Sequence, residues 1–379
     1  MLLPEYYGKM LLARAGITVP RGRVASNPSE AFAIATELGK VAIKAQVLAG
    51  GRGKSGGIRF AFRPHEAADQ AADLLRRQVL GERVQQVLVE ERMVASRELY
   101  LGILADPSTT GYQLLLSNEG GVDVEEVARD RPEKLHRLWV DPLKGLSTAD
   151  ASYLAEAIGL PPALANELAS IISALYKTFV ENDLLLAEIN PLMMTRAGRL
   201  VAVDARLEVD DDALFRHPDL RELRQSLLED WERQAQEIGV SYVPLPGDIG
   251  VIASGAGLGM ATLDLLQLAG LRAANFLDTG GGINAELMRR SVQLVLEPAH
   301  VRGGLINLYG GINPMVEAAD GIVAALRKLP QPKPIVVKLV GNRQEEAWAI
   351  LEAEGVPVVK TVQTESATKL LAELLRRRT

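Results

Sequence analysis

Ile249-Gly250-Val251-Ile252-Ala253-Ser254-Gly255-Ala256-Gly257-Leu258-Gly259 is the stretch that decides the fold. Its first five residues read as a short strand buried on both faces. The glycines that follow turn the chain into an apolar helix, which closes at Gly270. The same unit then recurs. Strands are expected at 274–277, 304–308 and 334–339, with a shorter one at 356–360 and helices between them. Repeated β-α units with short glycine turns imply a parallel, doubly wound sheet. Ligands of such sheets collect at the carboxyl ends of the strands, where three glycine loops fall: 254–259, Asp278-Thr279-Gly280-Gly281-Gly282 and Tyr309-Gly310-Gly311-Ile312-Asn313. The free N–H groups at a helix start favour an anion there; tight packing is the other reading of these glycines. Met260 occupies the third glycine position of a dinucleotide fingerprint, so that motif fails.

Moving toward the N-terminus, Pro244-Leu245-Pro246-Gly247 marks a boundary. We expect one domain over 1–240 and another over 245–379. The polar stretch 210–247 carries Asp210-Asp211-Asp212 and one expected helix, 219–238. The earlier part mixes helices (5–15, 29–38, 66–80, 153–158, 162–182) with an extended piece at 17–19. Its strands are expected at 41–47, 86–90, 98–104, 112–116, 184–188 and 200–204. That alternation is α/β or α+β in class.

The whole chain has 379 residues, 47% hydrophobic and 24% charged, with a net charge of −6. This suits a folded protein and gives no basic excess for nucleic acid. No apolar run approaches the ~20 residues that cross a bilayer, and the start lacks the pattern of a signal peptide. Cysteine is absent, which excludes thiolate chemistry and Cys-bound zinc. The four histidines, His65, His136, His217 and His300, are scattered, so any metal is expected on oxygen ligands. A cytoplasmic protein without nucleic-acid or membrane partners is the expectation.

Two constellations in the first part carry chemistry. Lys44 lies on a strand that precedes the glycine-rich run 49–57. Glycines let backbone N–H groups approach phosphate, and a cation at the strand end pairs with phosphate oxygens. Walker A spacing is not met, and a solvated surface loop fits the same residues. The second pairs Glu188-Ile189-Asn190-Pro191-Leu192 with Val201-Ala202-Val203-Asp204-Ala205. Residues 188 and 190 share a strand face. With Asp204 on a neighbouring strand they make an oxygen set suited to Mg²⁺; hairpin caps and turn bonds are the alternative.

These motifs, with Ala45-Gln46-Val47, Ser117-Asn118-Glu119-Gly120-Gly121-Val122, Ala213-Leu214-Phe215-Arg216 and Ala274-Asn275-Phe276-Leu277-Asp278, occur in one order along nearly the whole chain. In that arrangement the sequence resembles the β subunits of succinyl-CoA synthetase and its malate–CoA ligase relatives. The resemblance implies an ATP-grasp domain of two α+β subdomains, followed by a flavodoxin-like CoA-ligase domain. It implies an ADP-forming acid–CoA ligase that works through a phosphohistidine on a separate α subunit, which also carries the CoA site. It places ATP or ADP at Lys44, Gly51, Arg52, Gly53, Glu90, Met93 and Glu98, and Mg²⁺ at Asn190 and Asp204. Glu188 would orient the visiting histidine. Ser254, Gly311, Ile312 and Asn313 would border a small dicarboxylic acid, in an αβ or α2β2 assembly. Some positions depart from the family. Leu48 stands where a His is usual, Met93 where a polar residue is common, Ser254 for Asn and Arg206 for Lys. Asn313-Pro314 replaces a small apolar residue or Thr. Malate as the acid, and a catalytically reduced nucleotide-binding paralogue, are the alternative readings.

Overall fold

In the computed structural model, which describes residues 1–48 and 53–377, the chain divides into two units, Met1–Glu222 and Leu223–Thr379. The first unit holds two larger antiparallel sheets and a two-stranded hairpin. One orders its strands Gly22–Ala25, Val87–Glu91, Val41–Ala45, Ile58–Ala61. Helices Pro28–Leu38 and Pro64–Leu75 pack against it through Ala31, Ile34, Ala35, Ala67, Ala71 and Leu74, all buried with Ile43 and Val89. Alanines let both helices lie close to the sheet. Asn27 starts the first of them by accepting from the Glu30 N–H, with Pro28 behind it.

The second sheet runs Leu200–Ala202, Leu184–Thr195, Ala95–Asp106, Gly111–Ser117, Leu135–Val140, and Arg206–Val209 also pairs with Leu184–Thr195. Helix Pro162–Glu181 buries Leu168, Ile172, Leu175 and Phe179. Each such side chain contributes about 1.5–3 kcal/mol.

The Leu184–Thr195 strand is longer than expected. It continues through Pro191, and its two partners divide it: Glu188 faces Arg206, while Leu192 faces Ala202. Proline interrupts a ladder only where its N–H is needed, and here the partner strand breaks at 203–205. Other expectations need correction. The helix expected over 66–80 stops at Leu75, and a tight hairpin of Gln78–Val79 with Glu82–Arg83 follows. Its turn needs positive φ at Leu80 and Gly81, a signal that Leu80 conceals. The piece at 17–19 meets the second sheet through Thr18 O, which accepts from the Ala202 N–H, and a strand that was not expected, Gly22–Ala25, follows it. The helix expected over 219–238 is two, Pro218–Leu227 and Asp230–Ile238, the second opened by a Glu229–Glu232 capping box. Strands Leu135–Val140 and Ser241–Pro244 were not anticipated.

The second unit has one six-stranded sheet in the order Ser241–Pro244, Asn275–Asp278, Ile249–Ala253, Gly303–Gly310, Ile335–Gly341, Val358–Val359. The last five are parallel, and Ser241–Pro244 is an antiparallel edge. In chain order the parallel strands run 2-1-3-4-5, the flavodoxin-like arrangement. Alternate residues face opposite layers. Ile252, Ile306, Val337 and Leu339 pack under helices Ala285–Leu296, Met315–Leu326 and Gln344–Ala353. Val251, Leu305 and Val336 pack under Ala256–Leu268 and Thr364–Arg376.

Candidate active site

In the first unit a cavity of about 370 Å³ opens beside the 203–205 break between the two strands that pair with Leu184–Thr195. Glu5, Glu188, Asn190 and Asp204 line it with oxygen atoms, and Gly53, Lys54 and Arg206 also reach it. Asn190 is fixed by three bonds. Its Oδ1 accepts from the Gly121 N–H at 2.7 Å, and its Nδ2 donates to Val122 O at 3.0 Å and Glu188 Oε1 at 3.3 Å. The loop 117–122 reaches this position because Gly120 lies against the Leu99 backbone, where a Cβ would stand 2.4 Å from Leu99 O. Gly121 then takes a φ of 72°, and its missing Cβ leaves room for the Glu98 carboxylate. Glu98 therefore joins the same corner through Gly121.

Burial pushes the Glu188 carboxyl above its usual range; Arg206 and Asn190 pull the other way, and Glu125 and Asp204 add to the rise. Arg206 Nη1 lies 3.9 Å from Glu188 Oε2. Beyond it, Tyr100 is buried, and its hydroxyl occupies the space a Cβ on Gly102 would fill. Gly102 is the cross-strand partner of Glu188. Burial, then the charges of Glu188 and Glu125, hold the Tyr100 phenol neutral well above its ordinary value.

Lys44 is 4% exposed and does not stand free at a strand end. Its ammonium donates to Glu5 Oε1 at 2.8 Å and Val203 O at 2.6 Å, and pairs with Glu90 Oε1 at 3.0 Å. Lys9 completes a ring, 2.9 Å from Glu5 Oε1 and 2.5 Å from Glu90 Oε2. Burial alone would lower the Lys44 ammonium, but Glu5, Glu90 and Asp204 outweigh it and hold it above its ordinary value. Glu5 and Lys9 were missed in the sequence. They sit one helical turn apart in Glu5–Arg14, a spacing that reads as a solvated surface pair; both are buried.

Gly53 borders the cavity, and Lys54 pairs with Asp123 at its rim. Gly51 and Arg52 lie outside the described residues. Met93 sits in the link 92–94, between the strands Val87–Glu91 and Ala95–Asp106. The oxygen set suits a hard cation. Among the described residues no group of three or more His, Asp or Glu side chains is arranged to hold a metal. A site of one carboxylate and one amide, finished by water and phosphate oxygens, is the habit of Mg²⁺. Asn190 Oδ1 keeps a second lone pair beside its bond to Gly121.

In the second unit the three glycine loops meet where the strand order reverses. The Ser254 hydroxyl accepts from the Tyr309 N–H at 2.8 Å and donates to Tyr309 O at 3.0 Å. Asp278 Oδ1 accepts from the N–H groups of Gly255 at 2.7 Å and Gly280 at 2.9 Å. The helix start read as an anion site thus already faces a carboxylate of the chain itself. Asn313 Nδ2 donates to Gly281 O at 2.6 Å, and the helix beyond it begins at Met315 with Pro314 as its cap. Gly311 and Ile312 are exposed.

A model of the ATP-grasp domain matches residues 2–194, and one of the CoA-ligase domain matches 252–371. The GDP-forming succinate–CoA ligase subunit β of Thermus thermophilus is 44% identical over 374 residues, covering 98% of each chain. The chain belongs to the succinate–CoA ligase β-subunit family. The ADP-forming subunits β of Chloroflexus aurantiacus and Desulfurococcus amylolyticus are 43% and 41% identical, over 98% and 99% of each chain. A solved structure, ATP citrate lyase from Methanothrix soehngenii in complex with citrate and coenzyme A, shares the fold. Its TM-score is 0.75 over 98% of this chain and 99% of that one, at 20% identity. The expected ATP-grasp and CoA-ligase architecture is borne out. As an ATP-grasp ligase the family uses a nucleotide substrate. No helix among the described residues is long and apolar enough to cross a membrane.

Proposed function

We propose that this chain is the β subunit of an ADP-forming succinate–CoA ligase, converting succinate, CoA and ATP to succinyl-CoA, ADP and phosphate with a separate α subunit. One observation carries the reading: Glu188, Asn190 and Asp204 share one polar cavity, and the Lys44 ammonium is bound to Val203, next to Asp204. Lys44 and Gly53, with Gly51 and Arg52, hold the phosphates. Glu90, Met93 and Glu98 serve the nucleotide side. Asn190 and Asp204 would hold Mg²⁺, which when bound neutralises charge on the phosphates. Glu188 accepts the N–H of an imidazole brought by the partner, and Arg206 opposes the burial that raises its carboxyl. Two of the chain's four histidines have partners elsewhere: His65 packs edge-on against Phe32 at 4.9 Å, and His217 bonds Asp183 at 2.6 Å. The phosphorylated histidine and the CoA site are therefore assigned to the α subunit, in an αβ or α2β2 assembly, in the cytoplasm.

The acid is bordered by Ser254, Gly311, Ile312 and Asn313. Malate is the second reading, and Asn313 favours it. Its Nδ2 is committed to Gly281, while no bond among the described residues engages its Oδ1, which is available to a substrate hydroxyl. Sites that hydrogen-bond a hydroxyl discriminate strongly against the analogue lacking it. The test is kcat/KM for succinate and malate in the reconstituted enzyme, wild type against Asn313→Val. A preference for succinate that the substitution leaves unchanged supports the first reading. A preference for malate that collapses supports the second. Turnover of neither acid overturns both.

A further inference from the structure

Glu188 belongs to a row of residues that crosses the second sheet of the first unit. Arg206 is its cross-strand partner on one side and Gly102 on the other. Such partners point to one face, with Cβ atoms about 4.5–5.5 Å apart. Arg206 fills its place with a guanidinium, 3.9 Å from Glu188 Oε2. Gly102 has no side chain, and the Tyr100 hydroxyl takes that room: a Cβ on Gly102 would stand 2.6 Å from it. Tyr100 and Gly102 are two apart on one strand and share its face. The ring therefore lies along the strand and brings its O–H to the flank of Glu188. Val127, from the helix Val124–Asp130, and Leu135 pack on the ring.

That packing accounts for the ring and not for the hydroxyl. Tyr100 is 2% exposed. Buried phenols usually find a hydrogen-bond partner, and leaving one without costs stability. No hydrogen bond among the described residues engages this hydroxyl, and burial, with the charges of Glu188 and Glu125, keeps it a donor. Glu125 is exposed to water, which satisfies it. Glu188 is mostly buried and has room: Asn190 Nδ2 donates to its Oε1 at 3.3 Å, and a carboxylate offers about four lone-pair sites.

We propose that Tyr100 is a positioning residue for Glu188: its hydroxyl donates to the carboxylate from the Gly102 side and holds it toward the visiting imidazole. The proposal rests on the reading of Glu188 as the acceptor of that imidazole's N–H. Tyr100 and Arg206 then flank the carboxylate from neighbouring strands, and its remaining lone pairs face the cavity that Glu188 lines. A carboxylate already held in place loses less freedom when the histidine arrives. The effect falls on phosphoryl transfer to the histidine, not on nucleotide binding.

The test is histidine phosphorylation by Mg·ATP labelled at the γ-phosphate, without succinate or CoA, in the chain reconstituted with its α subunit. Mg·ATP affinity and melting temperature are measured alongside, for wild type, Tyr100→Phe, Glu188→Gln and the double variant. Tyr100→Phe removes one oxygen and keeps the ring. It is expected to slow phosphorylation by about tenfold or more, the size of one hydrogen bond to a charged group. Mg·ATP affinity should stay within about twofold of wild type, and the melting temperature should not fall. Because the hydroxyl acts through Glu188, the double variant should be no more than about twofold slower than Glu188→Gln. Wild-type phosphorylation in Tyr100→Phe, or a double variant slowed by the product of the two single losses, overturns the proposal. A loss of rate that comes with weaker Mg·ATP binding or a lower melting temperature marks a structural hydroxyl and also overturns it. Glu188→Gln separates the two claims. If it is phosphorylated at the wild-type rate, the Glu188 reading fails and this inference with it. If it is slow while Tyr100→Phe is not, only the present inference fails.

Discussion

Each unit of this chain buries a lysine beside the middle of a sheet, and the two are treated oppositely. Lys44, in the first unit, is ringed by Glu5 and Glu90 and is held above its ordinary value. Lys338, in the second, is 3% exposed, and its ammonium donates to an amide, Asn307 Oδ1 at 3.1 Å. Asn307 in turn donates to the hydroxyls of Thr262 and Thr364. Burial lowers the Lys338 ammonium, and only the charge of Glu365 opposes that. The first arrangement keeps a full positive charge ready beside a cavity. The second is a polar pin between two strands and two helices. A buried lysine is therefore not a functional signal by itself; its carboxylates are what separate the two cases.

The comparison can be broken most violently at the first cavity. Asp204→Ala removes one of the two oxygen groups proposed for Mg²⁺ and part of the field that holds Lys44 charged. Turnover of the reconstituted enzyme should fall by about two orders of magnitude or more with the fold kept, as loss of an electrostatic stabiliser does elsewhere. Steady-state rates across a Mg²⁺ titration, with circular dichroism as control, check this.

Glu90→Gln attacks the ring itself. Removing one partner of a buried ion pair costs about 3–5 kcal/mol, so urea unfolding should show a loss of that order. Lys338→Met, which deletes an unbalanced ammonium, should change stability by under ~2 kcal/mol in either direction.

Alkaline pH sharpens the contrast, because the signs are opposite. The folded Lys44 ammonium lies above its unfolded value, so its contribution is complete at neutral pH and is lost only above the unfolded lysine range. The folded Lys338 ammonium lies below its unfolded value. Its penalty is present at low pH and is relieved as pH rises from the folded toward the unfolded value. Wild type should therefore gain stability relative to Lys338→Met between neutral pH and the lysine range. Melting temperatures of the pair, measured along that range, would show no convergence or crossing if Lys338 were balanced like Lys44.

A smaller effect is expected at Glu188. Arg206 opposes the burial that raises this carboxyl. Arg206→Gln should move the acidic limb of the turnover profile to higher pH, with little change in nucleotide affinity. An unmoved limb would detach Arg206 from Glu188.

The second unit was the more legible in sequence. Its strands are buried runs ending in glycine loops, and each of those signals is local. The antiparallel edge Ser241–Pro244 escaped because Tyr242 and Val243 sit between prolines and charged residues and pair only with Asn275–Asp278, far along the chain. In the first unit Glu188 and Asn190 were legible because strand alternation puts them on one face, while Asp204, expected on a neighbouring strand, stands in the break after Ala202. The ring was not. Lys44 and Glu90 lie on strands and Glu5 and Lys9 on a helix, and only tertiary packing makes an i,i+4 surface pattern into buried chemistry. Arg206 was noticed as a substitution, but its contact with Glu188 depends on how Arg206–Val209 pairs with 184–188 after the break at 203–205. Ser254 and Asn313 were read as pocket residues, and their bonds show that they also brace the loops.

The central claim is that this chain supplies the nucleotide end of a ligase whose reacting histidine lies on another subunit. The most direct measurement puts the isolated chain and the chain reconstituted with its α subunit through the same two assays, Mg·ATP titration and succinyl-CoA formation. The account predicts that the isolated chain binds nucleotide and forms no thioester, and that adding the α subunit starts the reaction. Sustained succinyl-CoA formation by the isolated chain would contradict it.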